Sequence, residues 1–387
     1  MTPGESGDSG EPADVGAPAG GTGPARASRA PGGEGSPSWA EQALAEVLDR
    51  VGATAAEVGE RFPLYADPDT GRWTTTGRGS WAGGFWAGLL WLRARHTGAA
   101  AHRAAASACT ARLAGWVDAD TSTRGLILWY GTALAGTDTG ARELRTRAAG
   151  ACLAAMDTEL GLLPWGSAFG GPRLLARVDG LPGTVPLLAA AGPRGEAAAA
   201  AHLHRHLTLC LPTADAPPFV PAWSHGEETG WRPCAEPTPG WSRGPAWLLL
   251  ALADVLHRPA VAGRLPGRPR DRVERLADSW TGPATALVPP ADAARPTGLP
   301  DTSAAAVTAV ALLKLARLPG AGAARYAHRA AEILRCLVDT HLVGGRLLDG
   351  CYDADKGLAV RHELVWGDFF LALGLAELTG LADVRTI

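Results

Sequence analysis

Apolar side chains in this chain recur at helical spacing and almost never with the alternation of a strand. Order begins at Ser38, where Ser38-Trp39-Ala40-Glu41 fits a capping box: the Ser hydroxyl and the Glu carboxylate each satisfy a free N–H of the first turn. Leu44, Val47, Leu48 and Val51 then line one helical face. The same spacing predicts helices over 39–51, 54–60, 84–97, 101–116, 125–136, 141–157, 184–191, 194–208, 245–257, 270–280, 303–317, 321–340 and 367–379. Val/Ile-rich runs are scarce. The expected class is therefore all-α, with roughly a dozen helices and no sequence repeat. Two irregular stretches interrupt the pattern: 209–240, where Pro, Trp and charged residues mix, and 281–300, rich in Pro and Ala. Irregular stretches of this length are often functional. No linker divides the patterned part, so 38–387 reads as one domain. Residues 1–37 hold ten Gly, six Pro and no aromatic residue. Such a segment cannot bury enough surface to offset its ordering entropy, and a disordered tail is expected.

A polar or aromatic cluster repeatedly stands at the start of an unusually apolar helix. The cases are Ser80 to Trp86 (SWAGGFW), Trp241 to Trp247 (WSRGPAW), Pro300 to Ala304 (PDTSA) and Trp366 to Phe369 (WGDF). Pro245 suits a first helical turn, where its missing N–H would be unpaired anyway. Asp301, Thr302 and Ser303 each suit an N-cap. Helices that are apolar on most faces are buried, so their N-terminal clusters point to one shared mouth. Helix N-termini favour anions, and Arg243 offers a bidentate grip on a carboxylate. Ordinary capping and core tryptophan is the competing reading of any one cluster.

Composition narrows the function. The chain has 387 residues, 46% of them hydrophobic, and a net charge of −3. No basic excess exists to neutralise phosphates, so nucleic acid is not an expected partner. No apolar run reaches the ~18 residues of a membrane helix, so no membrane partner is expected either. Basic residues are nearly all Arg, with Lys only at Lys314 and Lys356. Six cysteines (Cys109, Cys152, Cys210, Cys234, Cys336, Cys351) lie far apart without a C-x-x-C pair. They read as free thiols of a reducing cytoplasm, and residues 1–10 show no secretory pattern. Fourteen tryptophans against four tyrosines fit a sugar-facing surface, although most are core; Trp91 sits within an apolar helix. Trp165, in Leu163-Pro164-Trp165-Gly166-Ser167, is loop-borne and the better ligand candidate.

With these segments the chain resembles the unsaturated glucuronyl hydrolases, glycoside hydrolase family 88, over roughly residues 60 to 380. SWAGGFWAGLLWL (80–92) is similar to that family's W-x-x-GF-x-x-G-x-LWL segment, WSRGPAW to its WARGQAW, and DTSAAA (301–306) to its DSSAAA. LDGCYD (348–353) followed by WGDFF (366–370) resembles its C-terminal pair of segments. The resemblance implies an (α/α)6 barrel with the site at the N-termini of six inner helices. It implies hydration of the C4=C5 bond of an unsaturated uronic acid at the end of an oligosaccharide, giving a hemiketal that opens and releases the sugar, without metal or cofactor. The family's acid/base Asp, in an I-D-x-x-x-N-like segment after a loop Trp, corresponds to Asp179 in Arg177-Val178-Asp179-Gly180-Leu181. One carboxyl in a semi-dry pocket suits both protonation of an enol-ether carbon and deprotonation of water. Read alone, Asp179-Gly180 before Pro182 is turn chemistry. Trp241, Arg243 and Trp247 fall on family positions that line the substrate pocket; Trp81 and Trp165 complete the candidate sugar-facing set.

Four family residues are absent, and one of them is the Gln of WARGQAW, where this chain has Pro245. Thr123, in Ser122-Thr123-Arg124-Gly125-Leu126, stands where the family has a second Asp beside the acid/base, and Ser122 replaces its His. Asp118 and Asp120 are near but out of register. A substrate-contacting His has no aligned counterpart; His225, Glu227 and Glu228 are the nearby alternatives. A changed substrate, a relocated partner carboxylate and a non-catalytic sugar-binding protein all follow from such losses. His202, His204 and His206 lie on a predicted helix, where a solvated face is expected rather than a metal pair, because no carboxylate joins them. Gly-rich 20–35 lacks the strand and Lys-Ser/Thr of a phosphate loop. Asp118-Ala119-Asp120 lacks the third acid of a terpene-cyclase metal box, and Arg-rich 264–275 reads as a solvated loop and helix start.

Overall fold

Helices that are apolar on every side lie inside this protein, and those with a single apolar stripe lie outside. A computed structural model describes residues 38–211, 219–267, 269–320 and 322–387. The expected disordered tail over 1–37, and residues 212–218 of the first irregular stretch, lie outside the described residues. The helices are α1 (Ser38–Val58), α2 (Gly83–Thr97), α3 (Ala100–Ala111), α4 (Tyr130–Ala133), α5 (Thr139–Ala154), α6 (Thr184–Ala189) and α7 (Pro193–Cys210). They continue as α8 (Arg243–Leu256), α9 (Pro259–Ala262), α10 (Pro269–Thr281), α11 (Thr302–Ala316), α12 (Ala323–His341) and α13 (Val365–Leu378). A π-helical turn, Gly125–Trp129, runs directly into α4.

Six segments form the interior. α2 packs on α4, the π turn on α6, α6 on α8, α8 on α11, α11 on α13, and α13 back on α2. All side chains of α11 from Thr302 to Leu315, and of α13 from Val365 to Glu377, are buried. Outside them, α3 lies on α2, α7 on α6, α10 on α8, α12 on α11 and α1 on α13. Two glycines permit the tightest crossings. A Cβ on Gly84 would meet the Leu126 carbonyl oxygen at 2.2 Å, and one on Gly125 would meet the Thr184 nitrogen at 2.0 Å. The small residues of SWAGGFWAG therefore let the inner segments converge. Phe85, Tyr130, Trp247, Phe369 and Phe370 fill the space between them with ring centroids 5.1–6.3 Å apart.

The expected helices are present with shifted ends. The segments 39–51 and 54–60 are one helix, α1, which passes through Gly52 where the Arg93 guanidinium occupies the Cβ space. The helix expected over 101–116 ends at Ala111 and continues as a 3-10 turn to Trp116. The strands were not foreseen from periodicity. They are β1 (Phe62–Ala66), β2 (Trp73–Thr76), β3 (Leu175–Arg177), β4 (Ala222–Gly226), β5 (Gly230–Pro233), β6 (Leu342–Val343), β7 (Arg346–Leu347), β8 (Gly350–Asp353) and β9 (Leu358–Leu364). Pairing is antiparallel, in the orders β2-β1-β9-β8, β3-β4-β5 and β6-β7. These strands are two to seven residues long, and several alternate poorly: β2 has no buried residue. Alternation therefore carries little signal. Their use is positional, because β3 leads toward α6 and β9 leads into α13.

One ion pair lies entirely within the interior. Lys314 Nζ donates to Asp254 Oδ1 at 2.5 Å, with both side chains at most 1% exposed. Burial lowers the Lys314 pKa, and Asp254 opposes that shift. Lys314→Met should destabilise the fold by about 3–5 kcal/mol, because the buried Asp254 carboxylate keeps only the longer contact to Arg258 Nη1 at 3.7 Å. Lys314→Met/Asp254→Leu should recover most of the loss in chemical denaturation.

Candidate active site

The N-terminal ends of four inner segments, α2, the π turn, α6 and α8, open on a cavity of 430 Å³, within the ~300–1,000 Å³ usual for small-molecule sites, whereas the expected clusters at Pro300–Ala304 and Trp366–Phe369 do not line it. Trp81 reaches it from the 3-10 turn before α2, Thr123 from just before the π turn, and Asp179 from the 3-10 turn before α6. Trp241, Arg243 and Trp247 reach it from the start of α8, and Trp165 from the loop before β3. All six residues expected at the site thus line one cavity. Glu236, Asp355, Lys356 and Leu358 stand exposed at its rim.

Their local roles differ from expectation in two cases. Arg243 does not offer a free carboxylate grip. It is 3% exposed, and its Nη1 donates to Asp301 Oδ2, to Ser303 Oγ (3.3 Å) and to the Cys351 carbonyl (2.7 Å). Its Nη2 donates to the Tyr352 carbonyl at 2.9 Å, and the guanidinium lies over Trp241 and Trp366. Arg243 binds three chain segments together, because neighbours take both its Nη atoms. Asp301 is the N-cap of α11 and also accepts from the Ser303 nitrogen at 3.1 Å. Trp247 is the second case: at 1% exposure its ring is floor packing, stacked on Phe85 and edge-on to Phe370, and offers little face to a ligand.

Trp81 and Trp241 are partly exposed. Trp81 Nε1 donates to Tyr352 Oη at 2.9 Å, and its ring lies 4.7 Å from Trp366. Trp165 is loop-borne as expected; its Nε1 donates to the Gly170 carbonyl at 3.0 Å, which leaves the ring flanking the cavity. Arg177 escaped the sequence reading although it lies two residues before Asp179. Its guanidinium carbon is 5.1 Å from the Trp165 ring centroid and 5.7 Å from that of Trp241. Arg177 Nε approaches Asp179 Oδ1 at 3.0 Å, but the angle does not make a hydrogen bond, and both buried atoms are left without a partner. Asp179 itself is 16% exposed at its side chain.

No carboxylate stands at Thr123. That residue is 2% exposed, and its hydroxyl shares a hydrogen bond with Thr121 Oγ1 at 2.9 Å. Asp118 is exposed and does not line the cavity. Asp120 binds Arg173 Nε and the Ser167 nitrogen, each at 3.1 Å, and so holds the Trp165 loop. Burial opposes its ionisation, but Arg173 and Ser167 outweigh burial and lower its pKa. His225, Glu227 and Glu228 lie on β4 and its turn, off the cavity wall. Asp368 belongs to a different cluster: it accepts from the Leu347 nitrogen, and burial followed by Glu363 raises its pKa. At the rim, Lys356 bonds Asp353 and Glu236, each at 3.0 Å. Burial disfavours the Asp353 carboxylate, yet Lys356 more than compensates and lowers its pKa.

The histidines of α7 correct another expectation. His204 does face outward, but His202 and His206 are 0% and 1% exposed. The Leu163 nitrogen donates to His202 Nδ1 at 3.1 Å, which leaves His202 Nε2–H for the Gly180 carbonyl at 3.3 Å. His206 Nδ1 donates to the His202 carbonyl at 2.8 Å, and its ring also faces the Arg177 backbone. The pair thus supports the segment that carries Asp179 and, through Leu163, the Trp165 loop. The signal was the i, i+4 spacing of two histidines on the apolar face of α7. Among the described residues, no three His, Cys, Asp or Glu side chains gather to hold a metal.

No protein-family model matches the chain, and no curated protein matches it. Solved structures do. An unsaturated glucuronyl hydrolase from Bacillus sp. GL1, described as responsible for glycosaminoglycan degradation, superposes with a TM-score of 0.77 at 22% identity, over 88% of this chain and 96% of that one. One described as specific for heparin gives 0.76 at 20% identity, over 90% and 99%. A substituted Streptococcus agalactiae enzyme complexed with dGlcA-GalNAc6S gives 0.68 at 17% identity, over 88% and 91%. The fold is that of the unsaturated glucuronyl hydrolases. At these identities the likeness establishes the fold alone; the reaction is a separate question for the site.

Burial makes the α7 pair sensitive to pH. The His206 pKa is pushed down to about 4, and that of His202 lies well below its ordinary value, burial being the chief cause of each. The unfolded chain binds protons at these histidines near pH 6.5 and the folded one does not. Stability is therefore complete above about pH 6.5 and falls as pH drops toward 4. The His206 shift alone amounts to roughly 3 kcal/mol over that window. Unfolding free energies measured across it should fall steeply for the wild type and less steeply for His206→Phe.

Proposed function

We propose that this chain is a divergent carbohydrate-active hydrolase built on an (α/α)6 barrel. It hydrates the C4=C5 bond of a terminal unsaturated uronic acid and releases that sugar from an oligosaccharide or related glycoside. The closed order of six inner segments, five of them backed by α3, α7, α10, α12 and α1 and the α4 segment by α5, supports the barrel. One observation supports the activity most: six residues from four separate stretches of sequence line a single cavity near helix starts, on a fold shared with enzymes of that activity. Six free thiols, four of them buried, are in keeping with a cytoplasmic setting.

In this reading Asp179 is the acid/base. Its carboxyl proton goes to C4, and positive charge develops at C5 and the ring oxygen. Water adds at C5 and returns a proton to the Asp179 carboxylate. The product is a hemiketal; its C5–O bond to the ring oxygen breaks as the C5 hydroxyl becomes a ketone, and the resulting hemiacetal at C1 collapses to release the glycosidic oxygen as an alcohol. One water is consumed and the carboxyl is regenerated. Trp81, Trp165 and Trp241 offer ring faces to the sugar, while Arg243 and Trp247 hold the wall behind them.

A second reading, a sugar-binding protein without catalysis, is favoured by the hydroxyl at Thr123. The two separate on unsaturated uronyl disaccharides. Loss of the ultraviolet absorbance of the conjugated C4=C5 bond is expected, and Asp179→Asn should slow it by roughly 10²–10⁴-fold, the usual size of a positioned acid/base. Tryptophan fluorescence should report that Asp179→Asn still binds the disaccharide. Binding without any loss of absorbance in the wild type would leave only the second reading.

A further inference from the structure

We propose that Arg177 is the residue that grips the carboxylate of the sugar bound in this cavity, and that it thereby sets a preference for uronates over neutral sugars. The inference rests on the uronide reading above and adds the residue that recognises the acid. Three cations line the cavity: Arg177, Arg243 and Lys356. Arg243 is enclosed, with both Nη atoms donating to Asp301 and to main-chain carbonyls. Lys356 stands at the rim, bonded to Asp353 and Glu236. Arg177 alone of the three makes no side-chain hydrogen bond among the described residues, and its Nε is buried and unmet. It remains 29% exposed, enough to present the ends of its guanidinium to a ligand.

The surroundings fix where such a ligand sits. The indole faces of Trp165 and Trp241 flank the guanidinium and limit its orientation. An anion taken up by the free donors lies beside Asp179, whose Oδ1 is 3.0 Å from Nε. The proposed substrate demands this juxtaposition, since its carboxylate carbon and the C4 to be protonated are both bonded to C5. The same guanidinium then serves two carboxylates.

The test compares an unsaturated uronyl disaccharide with its methyl ester. Wild type should prefer the acid. Arg177→Gln should lower the acid-to-ester ratio of kcat/KM by about 10–100-fold, the value of charge-assisted hydrogen bonds, with Arg177→Lys intermediate. A ratio unchanged in Arg177→Gln would overturn the inference while leaving the hydrolase reading intact. Calorimetric titration with glucuronate and with neutral glucuronamide supplies a readout that needs no turnover. If the wild type converts neither substrate yet prefers glucuronate, and Arg177→Gln abolishes that preference, the inference stands and the hydrolase reading falls. If the wild type shows no such preference in either assay, the inference falls. Glucuronamide binding and the melting temperature report whether Arg177→Gln is folded.

Discussion

The mouth of this protein depends on the buried pairing of Arg243 with Asp301. Arg243 is the first residue of α8 and Asp301 caps α11; the same guanidinium reaches the carbonyls of Cys351 and Tyr352 on β8. A single cation therefore ties two inner helices to the strand pair that leads into α13. A charge this deep is tolerated only when its donors are met, and both Nη atoms are. Trp241 and Trp366 close over it from two sides. The cavity wall is rigid because an ion pair holds its helix starts in fixed relation, and the aromatic faces inherit that relation.

The opposite wall is built differently. Asp179 stands on a short turn after a three-residue strand, which has little stiffness of its own. Stiffness comes from α7 behind it, where His202 meets the Gly180 carbonyl and the Leu163 amide. The Trp165 loop is tied down separately by Asp120. One wall is thus held by charge and the other by neutral imidazoles, whose burial keeps them uncharged. Acid weakens this second wall, because its buried histidines gain protons as the pH falls.

The frame was legible because inner helices such as α11 and α13 are apolar on all sides, and because clusters such as WSRGPAW sit where helices start. The ends and the strands were less so. Gly52 reads as a break, yet α1 runs through it, since a neighbouring side chain fills the space a Cβ would need. Tertiary pairing at large separation, such as Tyr65 with Leu364, leaves no local trace. Within the site, sequence patterns located the residues but not their hydrogen-bond partners. Arg243 looked available, yet neighbours take both its Nη atoms; Arg177 looked incidental and is the guanidinium with an unmet buried donor. His202 and His206 looked solvated, because spacing cannot say which face of α7 meets the rest of the chain.

The departure at Thr123 and the presence of Arg177 bear on the same quantity, the charge around Asp179. Two neighbouring carboxylates repel an anion, and one carboxylate beside a guanidinium does not. Thr123 spends its hydroxyl on Thr121, so that side of the cavity is neutral, while Arg177 makes the adjoining side cationic. Around the rim, the four carboxylates of Glu236, Asp292, Asp353 and Asp355 outnumber two cations, Lys356 and Arg295, the latter 3.5 Å from Asp292 and 3.6 Å from Asp355. The field therefore runs from an acidic mouth to a basic spot beside Asp179. A ligand with its one negative charge on the innermost sugar follows that gradient, whereas a chain bearing anions along its length meets repulsion at the rim.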